Sequence, residues 1–233
     1  MSAPTAVSEI MASIVTTLLA GDLARVGETL DAVEAMGIPT IHIDVMDGHF
    51  RPQISVGQPV VQCIRRAARQ KLDVHLLVER PERYFEDFVK AGAESLTFHY
   101  EATPNVALAI NSARKLGTRV GLALNPATRV ETCYEVLEDV DTVLIETGSE
   151  NFLPRSLGRV VALVKERKDR GVKFAVAVEG SIGAREAEDI LAAGADILVV
   201  GRAIFDKSGD GEALRALAQT LNSVGQKAKF SVQ

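Results

Sequence analysis

The stretch Ile41–Pro52, IHIDVMDGHFRP, begins as an apolar–polar alternation and breaks at Gly48. In an extended chain successive side chains point to opposite faces, so Ile41, Ile43 and Val45 share one side and His42, Asp44 and Met46 the other. A run near 72–78, LDVHLLV, repeats the pattern, with Val74, Leu76 and Val78 set against Asp73, His75 and Leu77. In a strand covered on one face only, the polar side would meet water. In a strand inside a closed sheet it would face the interior, where acidic side chains are almost never buried without a partner.

Working outward, short β-rich runs recur at 9–15, 40–45, 72–78, 94–99, 119–124, 141–146, 172–178 and 195–200. Between them lie longer amphipathic stretches, several of which stop at a glycine, as at Gly37, Gly92, Gly117 and Gly194; glycine there suits a left-handed helix cap. An eighth helical pattern, DGEALRALAQTLNSVG, follows the last strand, while the first ten or so residues and KAKFSVQ at the end read as peripheral. Strict alternation of strand and helix implies a parallel sheet with right-handed crossovers. Eight such units close into a barrel, so residues 1–233 are expected to form a single (β/α)8 TIM barrel of the α/β class. No linker or low-complexity segment divides the chain.

The composition narrows the function classes. The 233 residues are 47% hydrophobic and 24% charged with a formal charge of -5, which disfavours a nucleic-acid partner. The N-terminal segment has no basic start, and Ser13, Thr16 and Thr17 interrupt its apolar run, so it does not read as a signal peptide. Nothing approaches the roughly 18 apolar residues of a membrane span, and a cytoplasmic protein without a membrane partner is expected. Cys63 and Cys133 fall inside expected helices and form no metal-type pair; both read as small buried apolar groups in a reducing compartment.

In barrels of this kind chemistry gathers at the C-terminal ends of the strands. If the polar faces point inward, His42, Asp44, His75 and Glu179 converge near the mouth. Two imidazoles and two carboxylates suit a divalent transition metal; zinc, manganese, iron and cobalt all fit that donor set. Gly180 and Ser181 after the seventh strand, with Gly201 and Arg202 after the eighth, stand where such barrels grip phosphate, and Arg202 adds a fixed positive charge.

These blocks, IHIDVMDGHFRP, then VHLLVERPERYFEDFVKAGAESLTFH, GLALNPAT, VAVEGS and GADILVVGRAIF, resemble the ribulose-phosphate 3-epimerase family in order and spacing from about Asp22 to Phe205. The resemblance implies a metal-dependent isomerase, an epimerase that inverts C3 of a ketose phosphate. The substrate would be ribulose 5-phosphate and xylulose 5-phosphate, or a related pentulose or hexulose phosphate. It also implies that His42, Asp44, His75 and Glu179 ligate one divalent cation, zinc foremost, and that Asp44 and Glu179 act as opposed acid and base. By the same resemblance Ser13 contacts substrate or an active-site water, Met46 packs over the enediolate, and the protein forms a homo-oligomer.

Three features depart from the family pattern. Glu179 stands where the family has aspartate, one methylene shorter. Leu77 and Glu146 stand where it has methionines. After the sixth strand, ETGSENFLPRSL lacks the family's proline–glycine–phenylalanine loop over the phosphate. These differences keep two other readings open: another enediolate enzyme on this barrel, an isomerase or lyase, or a non-catalytic sugar-phosphate-binding protein. Against the lyase, DVHLLVERP carries no lysine, whereas the superfamily lyases have Asp-x-Lys-x-x-Asp there.

Overall fold

The computed structural model describes residues 13–148 and 150–205. The expected eighth helix, the C-terminal KAKFSVQ and the first residues of the first expected strand lie outside them. Eight parallel strands form a closed barrel in sequence order: β1 (Ser13–Thr17), β2 (Thr40–Met46), β3 (Lys71–Leu77), β4 (Ser95–His99), β5 (Arg119–Leu124), β6 (Thr142–Glu146), β7 (Ala175–Glu179) and β8 (Ile197–Val200), with β8 paired back to β1. The expected single barrel is the observed fold.

Alternation along each strand sorts the core into two compartments. Ile41, Ile43, Leu72, Val74, Leu96, Phe98, Val143 and Val178 point outward and pack beneath the helices. Val15, Ala123, Leu144, Ala177 and Val199 form a separate cluster inside the barrel. That interior cluster comes from β1 and β5–β8. On β2–β4 most inward positions are polar instead, with His42, Asp44, His75, Thr97 and His99 buried among them and Met46 and Leu77 apolar at the strand ends. The barrel is therefore greasy on one side and polar on the other, and the polar side carries the site.

Six helices coat the described barrel: α1 (Val26–Ala35), α2 (Gln58–Ala67), α3 (Phe85–Ala91), α4 (Val106–Lys115), α5 (Arg155–Arg170) and α6 (Ala184–Ala192). Gly92 shows how they end: at φ 108° its amide donates to the Phe88 and Val89 carbonyls and closes α3. Two expectations need correction. The helical pattern between β5 and β6 folds as a 3-10 segment, Val130–Asp139. Its Val130, Thr132, Cys133, Tyr134 and Val136 all have modest α-helix propensity, which leaves the tighter turn competitive. Cys63 is exposed rather than buried. Only Cys133 is enclosed; burial pushes its thiol up to about 12, and it donates to the Val130 carbonyl.

Candidate metal centre and active site

Of the two histidines and two aspartates in the opening stretch, the strand takes one pair and the turn the other. Asp47 accepts from the backbone N–H groups of His49, Phe50 and Glu79, so it shapes the turn that leaves β2. His42 and Asp44 point into the barrel and are buried. Cross-strand register sets Asp44 beside His75, and Glu179 closes β7 nearby.

One nitrogen or oxygen from each of His42, Asp44, His75 and Glu179 lies within 4.8 Å of the others. His42 Nε2 stands 3.2 Å from Asp44 Oδ1 and 3.7 Å from Glu179 Oε2. His75 Nδ1 lies 3.1 Å from the same aspartate oxygen and 3.2 Å from the same glutamate oxygen. His42 Nε2 and Glu179 Oε2 are buried without a hydrogen-bond partner, a costly state for polar atoms that a cation between them relieves. Two nitrogen and two oxygen donors converging from three strands fit a four-coordinate divalent metal.

The electrostatics agree. Burial alone would lower the His42 imidazole, but the Glu179 and Asp44 carboxylates reverse this and hold it well above its ordinary 6.5. His75, equally buried, is raised to about 9 by Asp44 and Glu179. Asp44 is depressed in turn, its burial cost outweighed by His42 and His75. In the metal-free protein, protons on the imidazoles thus balance charge that a bound cation would balance instead.

A further layer orients these ligands. His42 Nδ1 donates at 2.7 Å to Asp73, which also accepts from Ser95 and Thr97. His75 Nε2 sits 3.0 Å from His99 Nε2, and His99 Nδ1 lies 3.3 Å from Glu101 Oε2. Burial lowers His99 to about 4. A neutral His99 can accept from His75 and donate to Glu101, which leaves His75 Nδ1 free for a metal. Glu101, lowered to about 2 by hydrogen bonds that outweigh its burial, accepts from the Asn125 amide and from Thr128. Metal-binding histidines commonly have such partners on the other ring nitrogen.

The remaining sequence candidates fall in different places. Met46 ends β2 and lines a cavity of about 460 Å³ with Asp44, Leu77, Glu146, Glu179 and Gly180. Gly180 at φ 142° passes so close to Thr147 that an added Cβ would lie 2.0 Å from Oγ1. Arg202 donates to the Ser181 hydroxyl, which joins the ends of β7 and β8. A Cβ on Gly201 would strike Thr17 and Ala20, so this glycine lets the end of β8 close against β1. Ser13 is not brought to the ligand group. It opens β1, whereas Thr17, four residues further along, donates at 2.6 Å to Asp44 Oδ2. The β-branched threonines extend the strand past Val15, which puts Thr17 rather than the serine at its C-terminal end.

Sequence reasoning assigned no role to Thr17, Asp73, His99 or Glu101. The β3 and β4 alternation carried a signal for Asp73 and His99, which share the inward face with His75 and Thr97 respectively. Thr17 was hidden by a strand boundary and Glu101 by its place in the turn after β4.

A parallel (β/α)8 barrel with an inward His–Asp–His–Glu cluster at its mouth defines a class of barrel equipped for divalent metal. The chain belongs to the ribulose-phosphate 3 epimerase family, an isomerase family whose sequence profile matches residues 13–205. The ribulose-phosphate 3-epimerase of Treponema pallidum is 41% identical over 194 residues, covering 81% of this chain and 89% of the relative. That of Bacillus subtilis is 35% identical, covering 85% and 94%. Among solved structures, KGPDC from Streptococcus mutans superposes with a TM-score of 0.69 at 15% identity, covering 92% of this chain and 99% of that one, a likeness of fold. No helix among the described residues is long and apolar enough to cross a membrane.

Proposed function

We propose that the chain is an epimerase that inverts C3 of a ketose phosphate, either ribulose 5-phosphate and xylulose 5-phosphate or a related pentulose or hexulose phosphate. The observation that carries this reading is the pairing of Asp44 and Glu179 from two separated strands over one cavity, both against the same two imidazoles. His42, Asp44, His75 and Glu179 hold a divalent cation, zinc foremost, with manganese, iron or cobalt compatible with the same donors. When bound, that cation supplies Lewis-acid stabilisation of the charge that develops on the substrate's oxygens.

The protein's own groups move the proton. One carboxylate takes the hydrogen from C3, and the electron pair left behind spreads onto the neighbouring C2 ketone as an enediolate. The second carboxylic acid delivers a proton to the opposite face, which inverts C3 and leaves the two groups in exchanged protonation states. Thr17 steadies Asp44 by donating to the oxygen turned away from the imidazoles. Glu179 is one methylene longer than the aspartate the family carries, and its oxygen still comes within 3.2 Å of His75. Met46 and Leu77 give the cavity an apolar wall beside the reacting carbon. Gly180, Ser181, Gly201 and Arg202, at the ends of β7 and β8, form the seat for the phosphate.

The test is incubation of the cation-loaded protein with ribulose 5-phosphate, and separately with a hexulose 6-phosphate, in deuterium oxide. Deuterium entering C3 with formation of the epimer supports the reading. No exchange with any ketose phosphate overturns it, and release of a small carbonyl compound indicates a lyase. The reading extends to a cytoplasmic homo-oligomer, which analytical ultracentrifugation would check for assembly state.

A further inference from the structure

A second cavity, of about 330 Å³, opens between the turn after β5 and the first turns of α5. Pro126 lines both this cavity and the one above the ligand group. Arg155, Gly158, Arg159 and Ala162 stand three and four residues apart, so they share one face of α5, turned toward the β5 turn.

The lining carries three guanidiniums, Arg129, Arg155 and Arg159, against one carboxylate, Glu131, in a chain of net charge -5. Glu131 is already matched, with Arg129 Nε 3.4 Å away. Arg155 is exposed and its side chain makes no hydrogen bond or ion pair among the described residues. Arg159 is half-buried. Its Nη1 donates at 3.2 Å to the Glu146 carbonyl and its Nη2 at 2.9 Å to the Asn125 carbonyl, while Nε is buried without a partner. No carboxylate pairs with it among the described residues. Burial lowers the Arg159 guanidinium below its ordinary value; Glu101 opposes this and the Arg155 charge adds to it. Two cations thus line one cavity and repel each other with no anion between them, an uncommon state for a guanidinium withdrawn from water.

The helix start is not the attraction, because the Ser156 and Leu157 amides already donate to the Leu153 and Pro154 carbonyls. Gly158 supplies the room: a Cβ there would meet nothing within 4 Å.

We propose that Arg155 and Arg159, with the exposed Arg129 beside them, bind a phosphate-group dianion, either free phosphate or a small phosphate monoester, at a site separate from the sugar-phosphate cavity. Arg155 offers donors that match phosphate oxygens in pairs, and the fixed Arg159 places a second charge behind them. The reaction proposed above leaves this cavity unused, so the inference stands or falls independently of it.

The experiment is titration of the full chain, deuterated and nitrogen-15 labelled, followed by amide correlation spectra at constant ionic strength set with chloride. Inorganic phosphate is added in one series and glycerol 3-phosphate in another. The amides of Thr128, Arg155, Gly158 and Arg159 should shift together on one saturating curve, with a half-point near about 1 mM. Arg155→Gln should weaken that curve about tenfold or more, the loss of a charge-assisted hydrogen bond. Gly158→Leu replaces a poor helix former and fills the cavity without changing its charge; it should abolish the curve while the rest of the spectrum stays dispersed as in wild type. A stronger response to glycerol 3-phosphate identifies a monoester as the occupant, and an equal response identifies free phosphate; both support the site. No shift of these amides with either anion up to about 20 mM overturns the inference, as do shifts that both variants leave unchanged.

Discussion

Asp44→Asn retains the shape of a side chain that accepts from Thr17 and faces both imidazoles, but it removes the negative charge and the ability to take a proton. Steady-state assays should show kcat/KM reduced by about 10³-fold or more, with the far-ultraviolet circular dichroism spectrum unchanged. Glu101→Gln tests the outer layer. It weakens the acceptor that orients His99, and through His99 the ring of His75. Cation affinity should fall by about 10- to 100-fold in competition with a chromogenic chelator, well before the fold is lost. At this scale the alternation in IHIDVM and LDVHLL was enough to place His42, Asp44 and His75 on one interior face. The same alternation put Asp73 and His99 there, but it could not tell a ligand from the group that orients it. That distinction depends on which ring nitrogen faces which neighbour, and no spacing encodes it.

Among the elements, the turn after β7 is the most tightly specified. Gly180 occupies a positive φ of 142°, and Thr147 fills the space a side chain would need. Gly180→Ala should lower stability by roughly 1–3 kcal/mol, read as a fall of several degrees in Tm, and should also weaken binding of inorganic phosphate. The strands and most helices were legible because periodicity and glycine stops agreed. Two element-scale misreadings share a cause. Strand β1 runs on to Thr17 because Thr16 and Thr17 favour extended backbone, and this brings Thr17, not Ser13, against Asp44. The segment after β5 has an amphipathic pattern in which Val130, Thr132, Cys133, Tyr134 and Val136 are modest α-helix formers, and it settled as 3-10 turns. Periodicity reports which face is buried more reliably than how tightly the backbone winds.

Across the whole molecule, the barrel's polar half stores charge that depends on pH. In the metal-free protein His75 titrates at about 9, against about 6.5 unfolded. A folded value above the unfolded one gives stability that is fully present below about pH 6.5 and is lost as pH rises through 9. Asp44 and Glu179 are depressed, so their contribution is present above the ordinary carboxylate range and is lost on acidification. His99, lowered to about 4, costs stability as pH falls below its unfolded value of about 6.5. Metal-free protein should therefore be most stable near pH 6.5, with Tm lower by roughly 5 °C or more at pH 9. With cation bound, the protons on the imidazoles are already displaced, and calorimetry should show that alkaline loss abolished.

The central claim is that His42, Asp44, His75 and Glu179 close around a single divalent cation. Anomalous X-ray diffraction from crystals of the purified protein, collected above the absorption edge of the metal found by elemental analysis, tests it directly. The account predicts one peak per chain in bonding range of His42 Nε2, Asp44 Oδ1, His75 Nδ1 and Glu179 Oε2. Crystals grown with excess cation that give no peak there, or a peak that excludes Glu179, would contradict it.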